Sequence, residues 1–343
     1  MRSLQSLVRV TRAAEWWEFK ILPPLAVGYA ASFVFGGSPL DAWPAFLTLV
    51  LAVIPAGIFV SVLNDLTDLK DDARAGKYNR LAGRGLAIPL AIIALCLAGG
   101  GAFGWYWRGD PVLQAIYAAG WICFVAYSLP PIRLKTTGLA GALCDAIGAN
   151  VVPVSLSVVL VAGAFPTDIE WYTIAPVCVW SFCFGLRGII WHQLGDAEAD
   201  AVAGVKSFVL AYGEEESRLL VHRVIYPVEL VAIILFLGQL PLPALLAATV
   251  GLTLYALYTY ERIIRFQMQS TIVKPRLRAS LTVHEYYDVF LPVGLLLAGA
   301  WDAPFALVML AAHIVLFPAR FIRVAADSIK LFDPQYTRPS LEE

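Results

Sequence analysis

Charge is what this sequence has least of. Only 15% of its 343 residues are Asp, Glu, Lys or Arg, while 59% are hydrophobic. A soluble domain covers its surface with roughly 25% charged residues. The shortfall excludes a water-soluble globule and makes lipid the outer solvent for much of the chain. The net charge of −1 offers none of the basic surface that nucleic-acid binding needs, so no nucleic-acid partner is expected, and no protein partner is evident. Cysteine is scarce too. Cys96, Cys123, Cys144, Cys178 and Cys183 all lie in apolar runs and no two form a CxxC, which argues against a disulfide framework or a thiolate metal site. They read as small buried hydrophobes. A cleavable leader is not expected either, because Glu15, Trp16, Trp17 and Glu18 interrupt the place where its apolar stretch would sit.

Long apolar runs are what the chain has in abundance. A spanning helix needs about 20 mainly apolar residues. Runs of that kind fall near 19–36, 43–63, 86–107, 112–129, 139–163, 172–191, 223–239 and 242–260, with a final pair near 285–301 and 303–320. The fold class is therefore all-α: a polytopic transmembrane helical bundle of about nine or ten spans. Residues 1–18, with Leu4, Leu7, Val8 and Trp17 interleaved with Arg2, Arg9 and Arg12, read as an interfacial amphipathic lead-in. Residues 19–324 form the membrane domain and 325–343 a tail. Basic residues favour the cytoplasmic side. With ten spans, 24 of the 25 Lys and Arg fall on one side, among them Arg187, Lys274, Arg276, Arg278 and Arg338, and only Arg108 falls opposite. The expected setting is a multi-pass protein of a bacterial inner membrane with both termini cytoplasmic.

Two acidic segments stand out on that side. The second span runs into Asn64-Asp65-Leu66-Thr67-Asp68-Leu69-Lys70-Asp71-Asp72. If the helix continues, Asp65, Asp68 and Asp72 stand at i, i+3 and i+7 on one face, with Asn64 a turn before Asp68. The sixth span runs into Trp191-His192-Gln193-Leu194-Gly195-Asp196-Ala197-Glu198-Ala199-Asp200, where Asp196 and Asp200 are an i, i+4 pair. The segments also match each other: both contain DxxxDAxAG followed by a lysine, Lys77 or Lys206. That pattern suggests an internal repeat with two acidic helix ends facing one cavity. A carboxylate at mid-bilayer costs about 2.5–3.5 kcal/mol on insertion scales, so these groups belong at the interface, around a wet cavity, or beside cations. Mg²⁺ takes oxygen ligands and bridges carboxylates to substrate phosphates. Two facing clusters suit a diphosphate held through Mg²⁺, with Asp65, Asp68, Asp72, Asp196 and Asp200 as metal ligands. Lys77, Arg80 and Lys206 are placed to neutralise the remaining phosphate charge.

These residues resemble a known family. NDxxDxxxD, spanning Asn64, Asp65, Asp68 and Asp72, is similar to the first signature of the UbiA superfamily of intramembrane prenyltransferases. Asp196, Asp200, Gly204, Lys206 and Ser207 resemble its second. Tyr127-Ser128-Leu129-Pro130-Pro131-Ile132-Arg133-Leu134-Lys135 resembles the YSxPPxRLK stretch between them, and Arg12, Trp16 and Trp17 fit the family's start. The resemblance covers roughly residues 10–260. It implies a prenyl diphosphate bound through Mg²⁺ and transfer of its prenyl group to a lipophilic, often aromatic, acceptor in a cavity open to lipid. The chain departs where the first motif is usually followed by Arg-Pro and here reads Lys77-Tyr78-Asn79-Arg80-Leu81, and where His192 replaces the Asn that often precedes the second motif.

On this reading Asp68 and Asp200 are catalytic through the metal. Asn64, Lys77, Arg80, Tyr127, Arg133, Lys135 and Lys206 bind the diphosphate end of the substrate. His192 binds acceptor or takes a proton, and Tyr127, Trp191, Phe184 and Phe182 offer π faces to an allylic cation. His284-Glu285-Tyr286-Tyr287-Asp288 reads as an interfacial cap, with an acceptor contact as the alternative. The rival activities are cyclisation of a prenyl diphosphate without acceptor, glycosyl-type transfer onto a polyprenyl phosphate, and cation-coupled transport.

Overall fold

The computed structural model describes residues 10–269 and 283–332. Leu4, Leu7 and Val8 of the lead-in, the tail beyond residue 332, and Arg2, Arg9, Lys274, Arg276, Arg278 and Arg338 lie outside them. Among the described residues the long elements are all helices: α1 (Ala13–Val34), α2 (Trp43–Arg74), α3 (Ala87–Tyr106), α4 (Pro111–Ser128), α5 (Leu139–Ala162), α6 (Trp171–Ala203), α7 (Glu214–Leu237), α8 (Leu242–Gln269), α9 (Leu291–Asp302), α10 (Ala306–Leu316) and α11 (Pro318–Phe332). Seven helices, α2 to α8, are long and apolar enough to cross a membrane. The pair α10 and α11 makes an eighth if its 86° bend is one broken span. Hydropathy alone led us to expect nine or ten. The difference lies in α1, whose entry carries Glu18 and Lys20 ahead of Pro23 and Pro24, in α9, only 12 residues long, and in the break before Pro318.

Burial explains the apolar composition. α1 is the innermost element, buried continuously from Ile21 to Ser32. α3 and α4 are peripheral and turn Ile88, Leu90, Leu95 and Ile122 outward, which in a bilayer puts them against lipid. α11 makes the same point by inversion. Its protein-facing side holds Arg320, paired with Asp288 at 3.3 Å, and Asp327, which accepts from the Tyr258 hydroxyl at 3.1 Å. Its exposed side carries Ile322 and Ile329. Glu18 of α1 starts that helix by accepting the backbone N–H of Ala319 and of Arg320, each at 2.8 Å.

Among the described residues three π-turns interrupt the bundle, at Ile147–Val151, Val221–Ile225 and Tyr286–Phe290. Each is followed, two residues on, by a proline: Pro153, Pro227 and Pro292. Proline has no N–H to give to the carbonyl one turn back, and the chain widens there instead. The first of these turns carries Gly148, Ala149 and Asn150 to the wall of the main cavity. Asn150 crosses so near α6 that a Cβ on Gly185 would lie 2.4 Å from its Nδ2, so glycine is required there.

Arg187 is not a loop charge. It lies inside α6, fully buried, and so does not count toward the charge asymmetry used to orient the chain.

Candidate active site at the paired ends of α2 and α6

α2 does continue through the first acidic segment, to Arg74, and α6 through the second, to Ala203. The internal repeat is the repeat of a helix ending. Gly76 (φ 65°) and Gly204 (φ 73°) both take the left-handed conformation. The N–H after each glycine reaches back to the aspartate five residues earlier: Lys77 to the Asp72 carbonyl and Val205 to the Asp200 carbonyl, both at 2.9 Å. That is the glycine-terminated helix end in which a wide 6→1 bond closes the last turn. It leaves the carboxylates of both motifs within the final three turns.

Lys77 joins the two ends. Its Nζ lies 3.0 Å from Asp196 Oδ2 and 3.8 Å from Asp200 Oδ1. Burial works against its charge, but the neighbouring carboxylates Asp196, Asp200 and Asp72 outweigh that and hold its pKa above the ordinary lysine value. The first motif is cradled separately. Asp65 is buried and takes Arg12 at 3.2 Å, with Arg80 at 4.0 Å from its other oxygen. Asp68 takes Arg133 at 2.9 Å and, closer still, Lys135. Arg133 also bonds Asp71 at 2.6 Å. Burial lowers the Lys135 pKa despite its carboxylate neighbour, whereas at Arg133 the bonds to Asp71 and Asp68 override burial and raise it.

The loop carrying Arg133 and Lys135 is tied down locally. α4 ends where Pro130 and Pro131 cannot extend it. The Gly138 N–H then bonds the Lys206 carbonyl at 2.8 Å, which docks this loop on the segment that follows the second motif. Lys206 serves through its backbone, and its side chain is exposed. Among the described residues it makes no ion pair with the motif carboxylates, unlike the expectation that paired it with Lys77.

Asn79 accounts for one departure from the family pattern. Its Nδ2 donates to the Asp65 carbonyl (2.8 Å) and to Asp72 Oδ2 (2.7 Å), while its Oδ1 accepts the Leu81 N–H (2.9 Å). One amide thus pins the loop to the acidic helix. Arg80, beside it, engages Glu15. Glu15 and Asp71 were not foreseen as members of this network.

Beneath the charged rim lies a cavity of about 670 Å³ enclosed mainly by apolar side chains. Asn64, Tyr127 and His192 line it. The five motif aspartates, Lys77, Arg80, Arg133, Lys135 and Lys206 do not, and the first four of those cations stand with the aspartates outside the apolar chamber. Asn64 Oδ1 is held by the Ser128 hydroxyl. His192 is largely exposed, with Nε2 3.8 Å from Asp196 Oδ2. Of the aromatic candidates, Trp191 and Phe184 join Tyr127 in the wall, while Phe182 packs into a separate apolar cluster. Asp145, half-buried in the wall, was missed. The signal was there, since an ionisable residue inside an apolar run is a functional candidate by default.

Among the described residues no three His, Cys, Asp or Glu side chains converge in a metal-holding arrangement; the motif carboxylates are taken up by basic and amide partners instead.

Comparison with known proteins places this arrangement. The family model described as the UbiA prenyltransferase family matches residues 21–281. A lycopene elongase/hydratase from Halobacterium salinarum is 27% identical over 211 residues, covering 59% of this chain and 70% of that protein. Its counterpart from Haloferax volcanii is 26% identical, over 57% and 61%. In fold, the chain is similar to a UbiA homologue from Archaeoglobus fulgidus bound to GPP and Mg²⁺, with a TM-score of 0.58 and 17% identity over 86% of this chain and 99% of that one.

Proposed function

The chain belongs to the UbiA prenyltransferase family, and from that premise we propose that it transfers a prenyl group from a prenyl diphosphate to a lipophilic acceptor, releasing diphosphate, with Mg²⁺ as cofactor. The observation that carries this reading is the Lys77 bridge: one ammonium ties the two acidic helix ends together at the mouth of an apolar chamber.

The residues fit Mg²⁺ by donor chemistry. Asp65, Asp68, Asp72, Asp196 and Asp200 offer only hard oxygens, and Asp65 Oδ2 is buried with no hydrogen-bond partner among the described residues. Mg²⁺ is usually held by one or two carboxylates together with phosphate oxygens, so a ready-made cage is not needed. When bound, the ion offsets charge building on the leaving diphosphate.

The side chains supply the rest. Lys77, Arg133 and Lys135 are engaged by carboxylates, and an incoming diphosphate competes for the same donors. Asn64, Tyr127 and His192 then border the carbon that loses the diphosphate. The chamber is lined mainly by apolar side chains, and the faces of Tyr127, Trp191 and Phe184 favour positive charge there. The two archaeal relatives named lycopene elongase/hydratase support a long isoprenoid as acceptor over a small aromatic acid. The basic residues around the rim support a cytoplasmic site.

Purified protein with Mg²⁺, prenyl diphosphates of several lengths and either lycopene or 4-hydroxybenzoate should release diphosphate and give a mass-shifted lipid product. EDTA should stop it. Diphosphate release with a product no heavier than the prenyl group would mean cyclisation. Ion flux without diphosphate release would mean transport.

A further inference from the structure

A second polar feature stands behind a different stretch of the cavity wall, where it reaches the lining residue His284. Arg187 and Glu229 form a two-pronged pair, Nε to Oε2 at 2.7 Å and Nη2 to Oε1 at 2.8 Å, with both residues fully buried. The third nitrogen of the guanidinium, Nη1, lies 3.3 Å from His284 Nε2. Arg187 lies nine residues before Asp196 on α6, about 13 Å along the helix axis. Charges held inside membrane segments are costly and mark function by default. The sequence offered an acceptor contact at His284 only as the alternative to an interfacial cap, and it gave no sign of the Arg187 contact.

The tautomer of His284 follows from its partner. Arginine carries donors and no acceptor. Nε2 must therefore offer its lone pair, and in a neutral imidazole the proton sits on Nδ1. That Nδ1 is buried and has no hydrogen-bond partner among the described residues. The ring packs against Phe184, with centroids 4.7 Å apart, and both residues line the cavity. Glu229 fixes Arg187, Arg187 fixes the imidazole, and the imidazole is left with one buried N–H that no described residue takes up. A buried donor in that state calls for an oxygen. The charge of Arg187 is already matched by Glu229, so the oxygen that suits this place is neutral, not a second phosphate.

We propose that His284, positioned by the Arg187–Glu229 pair, is an acceptor-binding residue whose Nδ1–H donates to a neutral oxygen, hydroxyl or carbonyl, on the lipophilic acceptor. The word acceptor rests on the prenyl-transfer reading; the oxygen-binding site does not. The site favours an oxygenated isoprenoid over a bare hydrocarbon such as lycopene, and it sets which end of the molecule lies away from the diphosphate.

The test needs no turnover. Binding of geranylgeraniol and of the matching hydrocarbon without its hydroxyl is measured on detergent-purified protein, with neither Mg²⁺ nor diphosphate present. The native protein should prefer the alcohol by about tenfold. His284→Phe should bring the alcohol down to the hydrocarbon, and His284→Asn, whose amide N–H stands near the Nδ1 position, should restore part of the preference. ¹⁵N-histidine NMR of the native protein should show Nδ1 protonated, Nε2 not, and the Nδ1–H signal moving when the alcohol binds. No preference in the native protein, an equal preference in His284→Phe, or a proton on Nε2 would overturn the proposal. An alcohol preference that vanishes when phospholipid is added back would assign the site to a lipid carbonyl and overturn it as well. Because no diphosphate is present, none of these outcomes depends on whether the protein transfers prenyl groups.

Discussion

Two sets of acid–base pairs flank the same cavity without lining it, and they behave differently because of where they sit. At the rim, Asp68, Asp196 and Asp200 are partly exposed and paired with Lys77, Arg133 and Lys135, themselves partly exposed. Within the wall, Arg187 and Glu229 have no exposure at all. Water competes for every contact at the rim, so its pairs are weak and exchangeable. With both side chains fully buried, water does not compete for that pair. The rim is suited to trading protein carboxylates for phosphate oxygens. The wall pair is suited to holding a neighbouring ring in one orientation. On the proposed reading the same two functional groups serve recognition in one place and positioning in the other.

The largest effect is expected from the rim carboxylates, because loss of either acidic segment removes half of the proposed metal–diphosphate site. Asp68→Ala and Asp200→Ala should each lower turnover by at least about 10³-fold, with the folded protein still recovered from the membrane. Normal diphosphate release by either variant would remove the metal role from that segment. The wall pair should show the opposite signature. Glu229→Gln leaves the Arg187 charge buried with a neutral partner, and breaking such a pair costs about 3–5 kcal/mol. Thermal unfolding in detergent checks this, and a loss below about 1 kcal/mol would make the wall pair no different from the rim.

Between these lies His192, which stands in the cavity wall but in reach of water and Asp196. His192→Asn should keep prenyl diphosphate affinity and lower turnover by about 10²-fold if the imidazole takes a proton from the product cation. Steady-state rates over a range of diphosphate concentrations separate the two effects. A loss confined to KM would make it a positioning residue.

The rim was legible in the sequence and the wall was not, for a physical reason. Asp65, Asp68, Asp72, Asp196 and Asp200 sit at helical spacing at the ends of apolar runs, so period and context pointed the same way. Gly76 and Gly204 repeated that signal, since a left-handed residue must end each helix. Arg187 lies only four residues from the end of its apolar run, and hydropathy assigns such a charge to the nearest loop. Only the crossing of α6 with α7 brings it to Glu229, 42 residues on, and local pattern carries no information about that contact. Asn79 fails differently. It was visible as a departure from a family pattern, but its meaning, a clamp between Asp65 and Asp72, depends on where its loop folds back.

The smallest effect sharpens the comparison most. Lys77 bridges both acidic segments, yet about a third of its side chain and of the Asp196 side chain is exposed, so the pair is worth at most about 1 kcal/mol to the fold. Lys77→Met should therefore leave the melting temperature nearly unchanged while weakening prenyl diphosphate binding by about tenfold, the loss of one charge-assisted contact. The direction with pH follows from its raised pKa. A lysine held above its ordinary 10.5 contributes stability that is fully present below that value and fades only as pH rises through the higher folded value. Between pH 6 and 9 the native protein and Lys77→Met should then differ by a constant small margin. A melting temperature that falls as steeply as in Glu229→Gln would show that Lys77 holds the bundle together, and the contrast between an exchangeable rim and a fixed wall would fail at its central residue.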